Sequence, residues 1–163
     1  MKIGILSDTH GQREIAIRAA DFLRDKGAEF LVHCGDICGF DVLDALAGGP
    51  AAFVFGNNDF DHDELRRYAR AIDVTCLGSF GMLELAGKRI AVTHGDDHPL
   101  VARLTRADPP YDYLFTGHTH VRHDQRIGTT RWINPGALYR AARKSVALLD
   151  LDNDELISFA VAE

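Results

Sequence analysis

Apolar residues along this 163-residue chain fall in short runs that alternate between two spacings. KIGILS (2–7) is an apolar run of strand length. The segment after it, REIAIRAADFLRDKG (13–27), carries its apolar side chains at helical intervals and stops at Gly27. FLVHC (30–34) predicts a second strand, DVLDALAG (41–48) a second helix, AAFVF (51–55) a third strand and HDELRRYARAI (62–72) a charged helix. This βαβαβ opening implies parallel strands joined by right-handed crossovers. The second half turns to period two. GMLELAGKRIAVTH (81–94) reads as a hairpin turning at Ala86-Gly87-Lys88, PLVARLTRA (99–107) as a short helix and YDYLFT (111–116) as a strand. HDQRIGTTRWIN (123–134) is another hairpin around Gly128-Thr129, and KSVALLDLDNDELISFAVA (144–162) supplies two strands turning at Asn153-Asp154. An α/β half followed by a strand-rich half predicts two sheets packed face to face with helices outside.

Composition narrows the class. With 46% hydrophobic and 26% charged residues and no repeat or low-complexity stretch, residues 1–163 read as one globular domain with a substantial core. The apolar run before Asp8 is too short for a secretory signal, and no later run approaches a membrane span. Three cysteines, Cys34, Cys38 and Cys76, lack the spacing of a disulfide framework, so reduced thiols in the cytoplasm are expected. A formal net charge of −6 argues against nucleic acid or a membrane as a non-specific partner. It leaves room for an anionic ligand, because bound metal reverses the sign locally.

The polar clusters matter more than the averages. Five apolar runs each end in ligand-type residues: Asp8-Thr9-His10, Gly35-Asp36, Gly56-Asn57-Asn58-Asp59, His94-Gly95-Asp96 and Gly117-His118-Thr119-His120. Sites in α/β sheets form outside the carboxyl ends of strands, where successive loops converge. Taken singly, each cluster is an ordinary cap or turn; turns alone do not predict five of them on five strand ends. Asp8, His10, Asp36, Asn57, His94, His118 and His120 offer oxygen and nitrogen donors without thiolate. That set suits manganese, iron, zinc, nickel or cobalt rather than a structural zinc site. Seven donors exceed one tetrahedral ion and suit two, with a carboxylate bridging. An extended backbone through Asp8-x-His10 and His118-x-His120 is expected to aim each pair into one cavity.

In order and spacing, these motifs (D-x-H, G-D, G-N-N-D, T-H-G, G-H-T-H) resemble the calcineurin-like metallophosphoesterase superfamily, and Asn134-Pro135-Gly136 is similar to a late motif of its small bacterial and archaeal phosphodiesterase branch. The resemblance implies an α/β fold, a four-layer αββα sandwich with two mixed sheets. It implies a phosphodiesterase that hydrolyses a small phosphate ester with a hydroxide shared by two divalent metals, Mn²⁺ first among them and Ni²⁺, Fe²⁺, Zn²⁺ or Co²⁺ as alternatives. Carried over by position, Asp8, His10, Asp36 and His120 hold one metal, and Asp36, Asn57, His94 and His118 the other. Asp36, as the bridge, and Asn58 are then the candidate catalytic residues. Asn58 stands where many members carry a catalytic histidine; its amide cannot supply a proton to the leaving group but can hydrogen-bond a phosphate oxygen. His62, His98, Arg122 and Arg140 read as solvated, Asp59 and Asp96 as supports for histidines or turns, and Cys34 and Cys38 as packing residues. Relatives form dimers or tetramers, which makes a homodimer or homotetramer the assembly to test. A eukaryotic retromer subunit that resembles the same branch uses the fold as an interaction scaffold with a degraded metal site, the rival reading. An undegraded donor set favours the enzyme.

Overall fold

A computed structural model describes residues 1–162 of the chain. The first half alternates strand and helix as the pattern predicts: β1 (Lys2–Leu6), α1 (Arg13–Asp25), β2 (Phe30–His33), α2 (Phe40–Leu46), β3 (Ala51–Phe53) and α3 (His62–Ala71). A further strand, β4 (Thr75–Cys76), pairs parallel to β3; two residues are too few to leave a periodic trace in the sequence. Then follow β5 (Phe80–Leu85), β6 (Lys88–Thr93), α4 (His98–Leu104), β7 (Tyr113–Phe115), β8 (His123–Ile127), β9 (Thr130–Asn134), β10 (Ser145–Asp150) and β11 (Glu155–Ala160).

The strands form two mixed sheets. One has the order β11-β10-β1-β2-β3-β4, with β1 to β4 parallel and β10 and β11 antiparallel at one side. The other runs β5-β6-β7-β9-β8, parallel at its centre and closed on both flanks by hairpins. Alternation explains how they stack. Ile3 and Ile5 of β1, Val32 of β2 and Ala147 and Leu149 of β10 point inward onto Ile90, Val92, Tyr113, Phe115 and Ile133 of the second sheet. The opposite face of the first sheet, with Leu6, Leu31, Phe53, Val146 and Leu148, packs under α1, α2 and α3. Helix α1 presents Ile15, Ala16, Ala19, Ala20 and Leu23 as one buried stripe and ends as Gly27 takes φ 93°. Val101 and Leu104 of α4 cover Ala91, Leu114 and Trp132 on the outer face of the second sheet. The layers are therefore helix, sheet, sheet, helix, the αββα order expected. Both sheets direct strand ends toward one edge, and the polar loops meet there.

Candidate metal centre

The loops after β1, β2, β3, β6 and β7 build the site, and their backbones are unusual. Asp8 (φ 55°), His10 (46°), Asp36 (58°), His118 (66°) and His120 (58°) all lie in the left-handed region. Non-glycine residues rarely go there, and each costs about 1–2 kcal/mol. The extended backbone expected through Asp8-x-His10 and His118-x-His120 is thus not what forms. The chain must fold back over the strand ends to bring its donors inward, and backbone bonds fix that reversal: Asp8 N–H to Gly35 O (3.0 Å), His10 N–H to Asp36 O (2.9 Å), Gly117 N–H to His94 O (2.8 Å) and Thr119 N–H to Gly117 O (2.8 Å).

Two clusters of donor atoms result. Asp8, His10 and His120 form one; Asp8, Asp36 and His94 form the other. Asp36 Oδ2 lies 3.3 Å from His10 Nε2 and 3.4 Å from His94 Nε2, so one carboxylate oxygen faces both groups. Asp8 Oδ1 lies 3.2 Å from His120 Nε2 and 3.9 Å from His94 Nε2. Asp8 Oδ1, His10 Nε2 and His94 Nε2 are nonetheless buried without a hydrogen-bond partner. An unsatisfied buried polar atom is expensive; three aimed at one place fit a ligand that takes lone pairs. The residues therefore suit divalent metal. Asp8 supplies an oxygen to both clusters, a sharing that spacing alone does not reveal.

Their supports are well defined. Asp8 Oδ2 accepts from Ser7 Oγ (2.6 Å) and from the His118 N–H (3.1 Å), leaving Oδ1 for the site. His94 Nδ1 donates to Cys34 O at 2.7 Å, which aims Nε2 inward. Burial alone would lower the His94 pKa, but Asp36 and Asp8 beside it outweigh that and pull it up to about 9. Burial pushes the Asp36 carboxyl the other way, yet His94 and both N–H groups of Asn58 hold it well below the usual carboxylate range. Asn134 Nδ2 donates to Gly117 O (2.6 Å) and Thr119 Oγ1 (3.2 Å), and the Gly136 N–H returns to Asn134 Oδ1 (2.9 Å). The Asn134-Pro135-Gly136 motif thereby pins the loop that carries His118 and His120.

Other predicted residues fall differently. Asn57 and His118 line the same cavity; the His118 imidazole joins neither cluster of carboxylates and imidazoles, and its ring lies 5.1 Å from that of His94. Asn58 donates through its backbone N–H to Asp36 Oδ1 (2.9 Å) and through Nδ2 to Asp36 Oδ2 (2.8 Å). Its side-chain amide thus hydrogen-bonds the Asp36 carboxylate in this structure. Cys34 is fully buried, but Cys38 is an exposed lining residue rather than a packing one, with its thiol pushed up to about 12 by burial and by Asp59 nearby. His62 stacks on Phe55 and bonds Asp59 O, His98 begins α4, and Arg122 lines a separate hollow; none faces the donors. Arg140 does stand on the rim.

His33 escaped sequence reasoning because it sits inside the apolar FLVHC run. Gly35 N–H donates to its Nδ1 (3.2 Å), so Nε2 carries the ring proton and donates to Thr9 Oγ1 (3.0 Å), whose hydroxyl donates to Asp36 O (3.3 Å). A second ring proton would break the bond from Gly35. Complete burial, then the charge of His94, push the His33 pKa from 6.5 down to about 3. As pH falls below 6.5, the unfolded chain takes up a proton that the folded chain refuses until about pH 3, so stability is lost in that window. The slope from this one group is about 1.4 kcal/mol per pH unit. Urea unfolding of the chelated protein between pH 7 and pH 4 measures it. His33→Asn, which keeps an acceptor for Gly35, is expected to flatten the slope by about one proton, and equal slopes would refute the assignment.

Facing mixed sheets with carboxylates and imidazoles gathered at their strand ends define a metal-dependent hydrolase. The chain belongs to the calcineurin-like phosphoesterase superfamily, whose domain model matches residues 1–154. It is 29% identical over 160 residues to the phosphodiesterase MJ0936 of Methanocaldococcus jannaschii, covering 95% of this chain and 96% of that one. A solved archaeal phosphodiesterase shares the fold with a TM-score of 0.89 at 26% identity, over 98% of this chain and 99% of its own. The phosphoesterase Yfce of E. coli matches at TM-score 0.68 and 22% identity over 99% and 100% of the two chains, a likeness of fold.

Proposed function

We propose that this chain is a phosphodiesterase working as one domain in the cytoplasm, with two divalent metals held at the strand-end cavity. Asp8, His10, Asp36 and His120 hold one ion, Asp36, Asn57, His94 and His118 the other, and manganese is the first choice. The observation that carries the reading is the convergence of three unpartnered buried atoms, Asp8 Oδ1, His10 Nε2 and His94 Nε2. Left unmet, that arrangement costs roughly 1–3 kcal/mol per atom. Bound there, the metals supply Lewis acidity toward phosphoryl oxygens and lower the pKa of water toward neutrality.

The protein's own groups prepare the rest. Asn58 fixes the Asp36 carboxylate, Ser7 and the His118 N–H fix Asp8, and the Cys34 carbonyl fixes His94. Metal charge exceeds the two carboxylates, so an anionic ester is drawn into a protein of net charge −6. Asn58, an amide, and the Cys38 thiol, held near 12, are poor acids for the leaving oxygen. Turnover should therefore follow the leaving group. Bis(p-nitrophenyl) phosphate is expected to outpace a dialkyl phosphate by ~100-fold or more, the factor a missing general acid removes; comparable rates would contradict this. The deciding assay is hydrolysis of bis(p-nitrophenyl) phosphate with Mn²⁺, with Ni²⁺ and with EDTA. Activity that needs added metal supports the reading, and activity indifferent to EDTA overturns it.

A further inference from the structure

The cavity is lined by more than the candidate metal ligands. Its volume is about 790 Å³, more than a phosphate group requires, and Phe40, Phe60 and Tyr139 line the remainder. Two of these rings are anchored. Phe40 leans on Tyr68 with centroids 4.7 Å apart, and Tyr139 on His10 at 5.0 Å. Phe60 stacks on no other ring among the described residues and is 73% exposed. A large apolar ring left so open gains little from the fold, and it stands beside the candidate ligands in the same GNNDF turn.

The ring is presented on a fixed frame. Asp59, just before it, is buried and accepts hydrogen bonds from Gly56 N–H (2.8 Å) and Cys38 N–H (2.7 Å). Asp61, just after it, takes a left-handed φ of 53° and starts α3. A strained turn pinned on both sides positions a side chain for use. Asp61 and Glu64, next to Phe60 in the chain, also line the cavity, while the lining cation, Arg140, lies over the Tyr139 ring at 5.1 Å; the carboxylates disfavour a second anionic group beside Phe60.

We propose that Phe60, which lines this cavity together with Phe40 and Tyr139, is a subsite for a planar aromatic group on one arm of the ester. The substrate class is then a phosphodiester with an uncharged aryl or nucleobase-bearing arm. This rests on the phosphodiesterase reading and narrows it. Stacking of a base or aryl ring on an aromatic side chain discriminates by tenfold or more.

The test uses phosphonates, which cannot be hydrolysed, with the Mn²⁺-loaded protein and calorimetric Kd values. Phenylphosphonate is expected to bind about tenfold tighter than methylphosphonate, and Phe60→Ala to bring the two within about twofold, while Phe60→Tyr keeps the preference. Equal binding in the wild type, or a preference that survives Phe60→Ala, overturns the subsite. A third probe, 9-(2-phosphonomethoxyethyl)adenine, separates the sources. Binding at least as tight as phenylphosphonate assigns a nucleobase arm, and binding no tighter than methylphosphonate assigns an aryl one. The two readings fail separately. A normal phenyl preference without hydrolysis of bis(p-nitrophenyl) phosphate overturns the phosphodiesterase, and hydrolysis without the preference overturns the subsite.

Discussion

Asp36→Asn is expected to lower kcat for bis(p-nitrophenyl) phosphate about 10³-fold with saturating Mn²⁺, equivalent to about 4 kcal/mol of transition-state stabilisation. The expectation follows from where the two oxygens point. Oδ2 lies 3.3 Å from His10 Nε2 and 3.4 Å from His94 Nε2, within reach of one imidazole of each donor cluster. An amide there has one oxygen and one NH₂. Whichever way it turns, the NH₂ meets either the N–H groups of Asn58 or the site itself, and the negative charge is gone. The fold should tolerate the change, since Asn is isosteric and the Cys34 carbonyl still aims His94. Metal content of the purified variant, measured with its kcat, separates two outcomes. Loss of about one ion per chain with the activity supports a bridging carboxylate. Full metal content with activity within tenfold of wild type would refute it.

Much of this site is legible in the sequence, and the part that is not has identifiable reasons. Strand ends rich in aspartate and histidine announce themselves because apolar runs stop abruptly at Asp8, Asp36, Asn57, His94 and His118. The layer order follows from periodicity alone, since Ile3 and Ile5 turn to one face of β1 and Leu6 to the other. Backbone conformation does not follow. Left-handed φ values at Asp8, His10, Asp36, His118 and His120 are imposed by bonds between loops far apart in sequence, and glycine, the usual marker of such turns, is absent at all five positions. Hydrogen-bond commitments are equally hidden. Asn58 reads as a free amide until the Asp36 carboxylate is seen 2.8 Å from its Nδ2. His33 reads as part of a strand until its two ring nitrogens are traced to Gly35 and Thr9. In each case the sequence shows the group and the tertiary structure decides which of its atoms is spent.

Gly56→Ala is expected to disable the site as thoroughly as loss of a ligand, although residue 56 contributes no donor. A Cβ placed there would overlap Asp36 Oδ1 and the Asp36 backbone nitrogen. The first could swing aside if it were free, but it is held by the Asn58 N–H at 2.9 Å. The second cannot, because the Gly35-Asp36 backbone is tied to the β1 loop through Asp8 N–H to Gly35 O and His10 N–H to Asp36 O. The added methyl must therefore push the loops after β2 and β3 apart. Asp36 then leaves its place beside His10 and His94, and Asp59 loses the close approach that lets it accept from both Gly56 and Cys38. Overpacking of this kind costs about 1–3 kcal/mol in stability. The loss of function should be much larger, roughly 100-fold or more in kcat, since displacements of about 1 Å at a catalytic group have that effect. Urea unfolding and bis(p-nitrophenyl) phosphate hydrolysis, measured together, give the answer. A folded variant with Mn²⁺ affinity and kcat within threefold of wild type would mean that the two loops move freely, contrary to the packing described.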